Sequence, residues 1–175
     1  MSLQFMSAEA WSALVAAVVA IYTIVTNTIE LKRGRLLKGI ELMEAYSKDF
    51  DSDVFRKRRA VAAQYLLNDS RDNANPPSEL CEILDFIEGI AFVHNNKLIE
   101  VETIWHALGS WLLPYSVATR NVVTKQQQID PTLYEDLLPM FKAIETVEKH
   151  RHPSQNSFHL TSPTRVKRFL KEEAN

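Results

Sequence analysis

Two histidines on neighbouring predicted helices are the residues of this chain best suited to metal chemistry. His94 lies on the apolar face of one helix, and His106 follows Trp105 on the next. With a carboxylate such as Glu88 or Glu102, two imidazoles would supply ligands of the type that zinc prefers. Neither histidine has a second histidine four residues away. The alternative is therefore a hydrogen-bonded His94 at the edge of a core, and we predict no metal site and no cofactor.

Catalytic motifs give no support for an enzyme. The sequence has no glycine-rich phosphate loop, no H-E-x-x-H and no G-x-S-x-G, and its single cysteine is Cys81. One cysteine also excludes an internal disulfide. We predict a protein without catalytic residues. The alternative, an enzyme acting at a membrane, needs a site that these motifs do not supply.

The run Arg56-Lys57-Arg58-Arg59 is the densest cluster of charge in the chain. Four consecutive helical residues fan around the axis, so at least one of them points inward or lies along the core boundary. Arg56 and Lys57 are candidate contacts for an acidic partner or for anionic lipid. The alternative is a solvated face whose long side chains pack over apolar neighbours.

Acids and aromatic residues follow on the next two predicted helices. Glu88 reaches Arg58 or Arg59 if the second and third helices are antiparallel, and we predict a structural ion pair there. The aromatic residues lie along one helical face, where they form either core or the wall of a partner pocket. The acids are Glu79, Glu82, Asp85 and Glu88, and the aromatic residues are Trp105, Trp111 and Tyr115.

The first element that positions these residues is an uncharged segment from Ala10 to Ile29. In a helix its length is about 30 Å, which is the hydrocarbon thickness of a bilayer. We predict a single transmembrane helix. Its many alanines make it only moderately hydrophobic, so a core helix of a soluble assembly is the alternative. A signal peptide is disfavoured because no Lys or Arg precedes the segment.

The charges that flank this segment predict its orientation. Glu9 is the only charged residue before it, whereas Lys32, Arg33, Arg35 and Lys38 follow it. Because positive charge stays on the cytoplasmic side, we expect an inner (plasma) membrane protein with its N-terminus outside and its domain in the cytoplasm. Lys32, Arg33 and Arg35 would then lie against anionic headgroups, or they act only as a stop-transfer flank.

Small residues form a seam along one face of the same helix. They recur at an alternating spacing of three and four residues, which lets two backbones approach closely. A polar side chain on this face could hydrogen-bond to a second copy, so we predict a homo-oligomer. The alternative is a stripe that arises by chance in an alanine-rich helix. The seam residues are Ala13, Ala17, Ala20 and Asn27.

Helical spacing of apolar residues continues through the rest of the chain, with no alternating run. We therefore predict an all-α fold, in which the N-terminal transmembrane helix continues into a small antiparallel helical bundle. The predicted organisation is a membrane anchor at 1–30, a helical domain at 31–150 and a polar tail at 151–175. One short helix in the tail is predicted from Ser162-Pro163 to about Lys171.

Caps and apolar faces define the second and third helices. Asp51 or Ser52 is the predicted cap of the second, and Asn95-Asn96 ends the third. The predicted inner face of the second helix is Val54, Phe55, Val61, Ala62, Tyr65 and Leu66. That of the third is Leu80, Ile83, Leu84, Ile87, Ile90 and Ala91.

Prolines predict interruptions in the later helices. Pro114 predicts a kink or break near Gly109-Ser110. Asp130-Pro131 marks the predicted start of the fifth helix, and Pro139 predicts a kink or a restart within it.

The order of these features resembles a bacterial family of membrane-anchored proteins that is grouped under a domain of unknown function. The resemblance covers roughly Trp11 to Tyr115. It implies a membrane span, a basic helix and then two further helices, with no catalytic residue to carry over. The segments that carry it are K-R-G-R-L-L-K-G-I-E-L-M (32–43), F-D-S-D-V-F-R-K-R-R-A-V (50–61), F-I-E-G-I-A (86–91) and L-I-E-V-E-T-I-W (98–105).

The function predicted from these features is a membrane-anchored cytoplasmic helical module that binds another protein or itself. A net charge of −2 gives no basic field, so we predict no nucleic-acid partner. The alternative function is a membrane effector of the stress or phage-defence type, whose anchor helices assemble and perturb the bilayer. That alternative depends on the alanine seam and Asn27 alone.

Overall fold

The computed structural model describes residues 8–68, 74–153 and 161–175, and these ranges contain six helices and no strand. The predicted all-α fold is confirmed, with a long N-terminal helix followed by a helical bundle. The chain divides into two compact units, residues 1–37 and 38–175. The helices are α1 (Ala8–Phe50), α2 (Asp53–Leu67), α3 (Ser78–Asn95), α4 (Val101–Ile129), α5 (Leu137–Arg151) and α6 (Pro163–Glu173).

The C-terminal part of α1 belongs to the second unit, where it packs against the other helices. Met43 and Phe50 are buried there. Gly39 allows a close approach to the α3–α4 connection, because a Cβ at this position would lie 3.2 Å from the carbonyl oxygen of Leu98. This contact explains why a residue without a side chain lies in the interior of a helix.

Ser52 is the cap of α2, and its Oγ accepts a hydrogen bond from the backbone N–H of Phe55 at 3.3 Å. The predicted inner position of Val54 and Val61 is wrong, because these side chains are 61% and 40% exposed. The buried face is formed by residues at positions 55, 59, 62 and 66. It lies one position further around the helix than the predicted inner face. Arg59 therefore points inward, as the four-residue charge run required.

The inner face of α3 is confirmed at all six predicted positions, each of them fully buried. Phe55 contacts Phe86 with 4.7 Å between ring centroids, and Arg58 pairs with Glu82. Since Phe55 lies opposite Phe86 and Arg58 lies opposite Glu82, α2 and α3 run antiparallel.

The end of α3 is a left-handed turn formed without glycine. Lys97 has a φ of 59°, its N–H donates to the His94 carbonyl at 2.8 Å, and the N–H of Leu98 donates to the Val93 carbonyl at 3.1 Å. This pattern is a Schellman motif, which satisfies carbonyls that the helix leaves unpaired.

Of the kink or break predicted near Gly109-Ser110, the break is wrong, because α4 is continuous through Pro114. Pro114 is buried and lies between buried residues, so packing on both sides offsets the cost of about 3 kcal/mol that a proline imposes on a helix interior. Gly109 has a different role, since its missing side chain leaves space for the indole of Trp105.

The fifth helix begins later than the Asp130-Pro131 signal predicts. Asp130 Oδ1 accepts from the backbone N–H of Thr132 at 2.9 Å, and residues 131–136 form turns. Tyr134 has a φ of 56°, a conformation that no α-helix contains. The restart predicted for Pro139 agrees with the structure, because Pro139 occupies the first turn of α5, where its missing N–H costs nothing.

The short terminal helix is confirmed as α6, with Ser162 as its cap and Pro163 at its first position. It extends to Glu173, two residues beyond the prediction. α6 packs on α2 and α4, and buries Val166 and Leu170 against them.

Candidate functional site

The first unit presents an apolar helix surface that nothing in the described chain covers. The most apolar 18-residue window of α1 has a mean hydropathy of 1.9, and none of it is buried. By length and composition α1 is the one helix in the described ranges that is suited to cross a membrane. The exposed large side chains of its first half are Trp11, Leu14, Val15, Val18, Val19, Ile21, Tyr22, Ile24, Val25 and Ile29.

Threonine hydroxyls on this surface are satisfied by the helix itself. Thr23 donates to the Val19 carbonyl at 2.8 Å, and Thr28 donates to the Ile24 carbonyl at 2.7 Å. A hydroxyl bonded in this way needs no water, so it carries little penalty in an apolar environment.

The residues predicted as an oligomer seam and as basic contacts lie on exposed surfaces. Ala13, Ala17, Ala20 and Asn27 are exposed on α1, as are Lys32, Arg33 and Arg35. Arg56 and Lys57 are exposed on α2, and the nearest acid to Arg56 is Asp53 at 4.0 Å. The seam stays a prediction, and so do the basic contacts, because a single chain tests neither.

The second unit contains a buried ion pair that the sequence did not predict. Arg59 Nε lies 3.0 Å from Oε2 of Glu173, with side-chain exposures of 10% and 17%. The Arg59 guanidinium carbon lies 3.9 Å from the ring centroid of Phe50 and 5.9 Å from that of Trp111. We call these four residues the Arg59 box. Its Nε and Oε2 atoms are close but are not aligned as a hydrogen bond.

The electrostatics of the Arg59 box follow from its burial. Burial raises the pKa of Glu173, while the nearby Arg59 and the indole of Trp111 lower it by less. Burial also raises the pKa of Tyr115, whose ring contacts that of Trp111 with 4.3 Å between centroids and a tilt of 37°. The guanidinium of Arg59 lies over the Phe50 ring and next to the Glu173 carboxylate, which links α2 to α1 and α6. Trp111 of α4 packs against the Phe50 ring, with 3.9 Å between ring centroids.

An open groove lies between the C-terminal part of α1 and α4, and the Arg59 box lines one end of it. It consists of two adjoining cavities of about 400 Å³ and 310 Å³ that share Ser47 and Ala107. The larger cavity is lined by Ile40, Met43, Glu44, Thr103 and His106 besides the shared pair. The smaller adds Phe50, Asp51, Arg59, Leu108, Ser110, Trp111 and Glu173. We call this feature the α1/α4 groove.

The predicted ion pair between Glu88 and Arg58 or Arg59 is wrong. Arg58 pairs with Glu82, and Arg59 pairs with Glu173. Glu88 instead accepts a hydrogen bond at Oε1 from the backbone N–H of Asp136 at 3.1 Å, while its Oε2 is buried without a partner. Glu88 thereby holds the start of α5 against α3.

Burial raises the pKa of Glu88, and the carboxylates of Asp136, Glu135 and Asp85 raise it further, whereas the hydrogen bond from Asp136 lowers it. A raised folded-state pKa means that the folded protein binds more protons than the unfolded one. The stabilisation from this group is therefore complete below the ordinary pKa of 4.5, and it is lost as pH rises through the raised value.

We expect Glu88→Gln to keep the accepted hydrogen bond and to remove the buried charge. The variant should be at least as stable as wild type at pH 7, and its stability should fall less between pH 4.5 and neutrality. The measurement is urea unfolding of the full chain in a mild detergent at several pH values. Glu88→Leu, which leaves the Asp136 N–H unpaired, should lose about 1–3 kcal/mol. A Gln variant with the full pH dependence of wild type would contradict this assignment.

The structure places His94 and His106 in different surroundings. No group of three or more His, Cys, Asp or Glu residues in the described ranges is placed to hold a metal ion. His94 Nδ1 lies 3.0 Å from the Ile99 carbonyl oxygen. This contact agrees with the alternative to a metal ligand, a hydrogen-bonded histidine at the edge of the core. His106 lies at the rim of the α1/α4 groove.

The aromatic residues predicted on α4 separate into two sites. Trp111, a member of the Arg59 box, and Tyr115 are buried in the core with 4.3 Å between their ring centroids. Trp105 is half-buried, donates from Nε1 to Glu148 Oε2 at 2.7 Å, and carries Arg151 over its ring at 4.9 Å. Core packing explains the first site, and helix pairing of α4 with α5 explains the second.

Comparisons of this chain with protein-family models, with curated proteins and with solved structures found no match. The family resemblance noted in the sequence stays a prediction. The surfaces described above are therefore the basis for a proposal about function.

Proposed function

We propose that this protein is a membrane-anchored helical module of the cytoplasm that binds another protein, and that its anchor helices self-associate. One observation carries the proposal: the apolar window of α1 has no buried residue, while the second unit has a closed core of its own. Exposed apolar surface of this extent is typical of membrane or protein contact sites.

The energetics of insertion favour a bilayer as the environment of α1. Each Leu, Ile or Val contributes about −0.3 to −0.6 kcal/mol near the middle of a membrane. The helix offers many such residues and no charge between Ala10 and Ile29. Hydroxyls bonded to the helix backbone reduce the opposing cost of the threonines.

The flanking charges support the proposed orientation. Lys32, Arg33 and Arg35 are exposed and follow the apolar segment. Positive charge on that side favours a cytoplasmic domain, and contact with anionic headgroups adds about 1 kcal/mol for each cation near the surface.

Membrane extraction tests the anchor. The full chain is expected to stay in the membrane pellet after alkaline carbonate treatment. Val18→Lys with Ile21→Lys should release it, because a charge at the helix centre opposes insertion by about 2.5–3.5 kcal/mol. The matched control is Val54→Lys with Val61→Lys, which adds the same charge at exposed valines of α2 and should remain in the pellet. Wild-type protein in the supernatant would contradict the proposal.

Crosslinking in the same membranes tests self-association. Ala17→Leu and Asn27→Leu are expected to reduce the crosslinked oligomer, because the first blocks close backbone approach and the second removes the polar contact. An oligomer that neither substitution changes would exclude the seam.

A further inference from the structure

The two cavities of the α1/α4 groove differ in chemistry, since the larger is mainly apolar and the smaller is mainly polar. Met43, Phe50 and Trp111 are buried at the floor, with exposures of 3%, 6% and 6%. Ile40 remains 41% exposed at one wall and Ala107 is exposed at the other. The half lined by Ile40, Met43 and Ala107 is thus an apolar trough that the described part of the chain leaves unfilled, whereas the half toward Trp111 exposes more polar than apolar surface.

One rim of the groove is acidic. Glu44 and Asp51 are exposed on the α1 side, seven residues apart, which corresponds to about 10 Å along a helix. Neither carboxylate has an ion-pair partner in the described ranges. The α4 side contributes Thr103, His106 and Ser110. Among the lining residues the Arg59 charge is offset by Glu173, so Glu44 and Asp51 leave the lining with net negative charge, and the exposed Lys48 of α1 lies outside that lining.

We propose that the α1/α4 groove binds a basic amphipathic helix of a partner protein, an inference that rests on the proposed interaction function. Apolar side chains of that helix, at i, i+3 or i+4 and i+7, enter the trough lined by Ile40, Met43 and Ala107. Lysine or arginine side chains seven residues apart on its flank face Glu44 and Asp51.

Charge complementarity selects this occupant over the others. An acidic rim repels anionic lipid headgroups and acidic peptides, so neither matches the groove. A trough with one charged edge fits a helix with an apolar face and a cationic flank, because burial gives affinity while the charges fix register and orientation.

The test uses the full chain in nanodiscs of phosphatidylcholine, a lipid without net charge. The probe is a fluorescent peptide of about five helical turns, made of Leu and Lys with Leu at helical spacing. We expect saturable binding by fluorescence anisotropy. Glu44→Lys with Asp51→Lys should weaken it at least tenfold, equivalent to about 1.4 kcal/mol. Glu41→Lys with Glu102→Lys, which reverses two exposed acids outside the groove, should bind as wild type.

Three results would overturn the proposal. The first is a Leu/Glu peptide of the same pattern that binds as tightly, and the second is a groove variant that binds as wild type. The third is a wild-type protein that does not bind the peptide but forms a dimer in the nanodisc, with the dimer lost in the groove variant. In that case a second copy of the chain fills the groove. Failure of the membrane proposal is distinguishable, because it appears as protein that does not enter nanodiscs at all. Urea unfolding of each variant confirms that its exposed substitutions leave the fold intact.

Discussion

Replacing Arg59 with alanine is expected to lower the free energy of unfolding by about 3 kcal/mol. The substitution leaves the carboxylate of Glu173, whose side chain is 17% exposed, without its cation, and it removes the guanidinium from the face of Phe50. Breaking a buried pair by deleting one partner costs about 3–5 kcal/mol, and partial exposure of Glu173 favours the lower end. Urea unfolding followed by tryptophan fluorescence measures the loss, because Trp111 lies beside the pair.

Two further variants test whether the lost stability comes from the ion pair or from the removal of any positive charge. Arg56→Ala removes an exposed arginine of the same run and should change stability by less than about 0.5 kcal/mol. The double variant Arg59→Met with Glu173→Leu should recover much of the loss, because apolar residues of similar volume often replace a buried pair without cost. A single Arg59→Ala variant as stable as wild type would show that the box does not hold α6 in place.

Introducing leucine at Gly39 is expected to destabilise the second unit by about 1–3 kcal/mol, the range observed for overpacking. A Cβ at this position would lie 3.2 Å from the Leu98 carbonyl and 3.6 Å from a side-chain carbon of Ile99. A leucine side chain therefore forces α1 away from the α3–α4 connection. Thermal unfolding monitored by tryptophan fluorescence gives the measurement.

Gly34→Leu provides the matched control on the same helix. A Cβ at Gly34 meets nothing within 4 Å, so this variant gains helix propensity, about 1 kcal/mol, without a clash. Because both variants make the same change in residue type, their difference isolates the contact with Leu98. Equal unfolding temperatures for the two variants would argue against that contact.

Local patterns predicted the helices where periodicity and caps agree. The six inner positions of α3 repeat at spacings of three and four and carry no charge, so the pattern allows a single orientation. The Ser162-Pro163 signal gave α6 for the same kind of reason, since the side-chain cap and the proline fix the first turn locally.

The failures lie where tertiary contacts outweigh local preference. Pro114 predicts a kink or a break near Gly109-Ser110, but no break occurs, because buried residues on both sides of the proline hold α4 together. Asp130-Pro131 is an acceptable helix start, yet Tyr134 adopts a left-handed conformation with its side chain only 7% exposed, and the helix begins at Leu137. In each case packing supplies more free energy than the local signal.

The sequence indicates that Arg59 is buried, but it does not indicate which acid pairs with it. Arg59 is the one charged residue among the positions 55, 59, 62 and 66 that form the buried face of α2, so helical spacing indicates its burial. Its partner was not predictable. Glu173 lies more than a hundred residues away in a segment that reads as a polar tail, and nothing in its neighbourhood indicates burial.

The sequence by itself determined the all-α architecture, the uncharged helix suited to a bilayer, and the inward turn of one residue in the basic run, because these follow from helical periodicity and from charge. Only the tertiary structure decided which arginine meets which acid, that α6 closes the core, and that an acidic groove remains open between α1 and α4. Those features depend on how helices distant in sequence pack together, and packing is set by the shapes of surfaces that meet only in the folded chain.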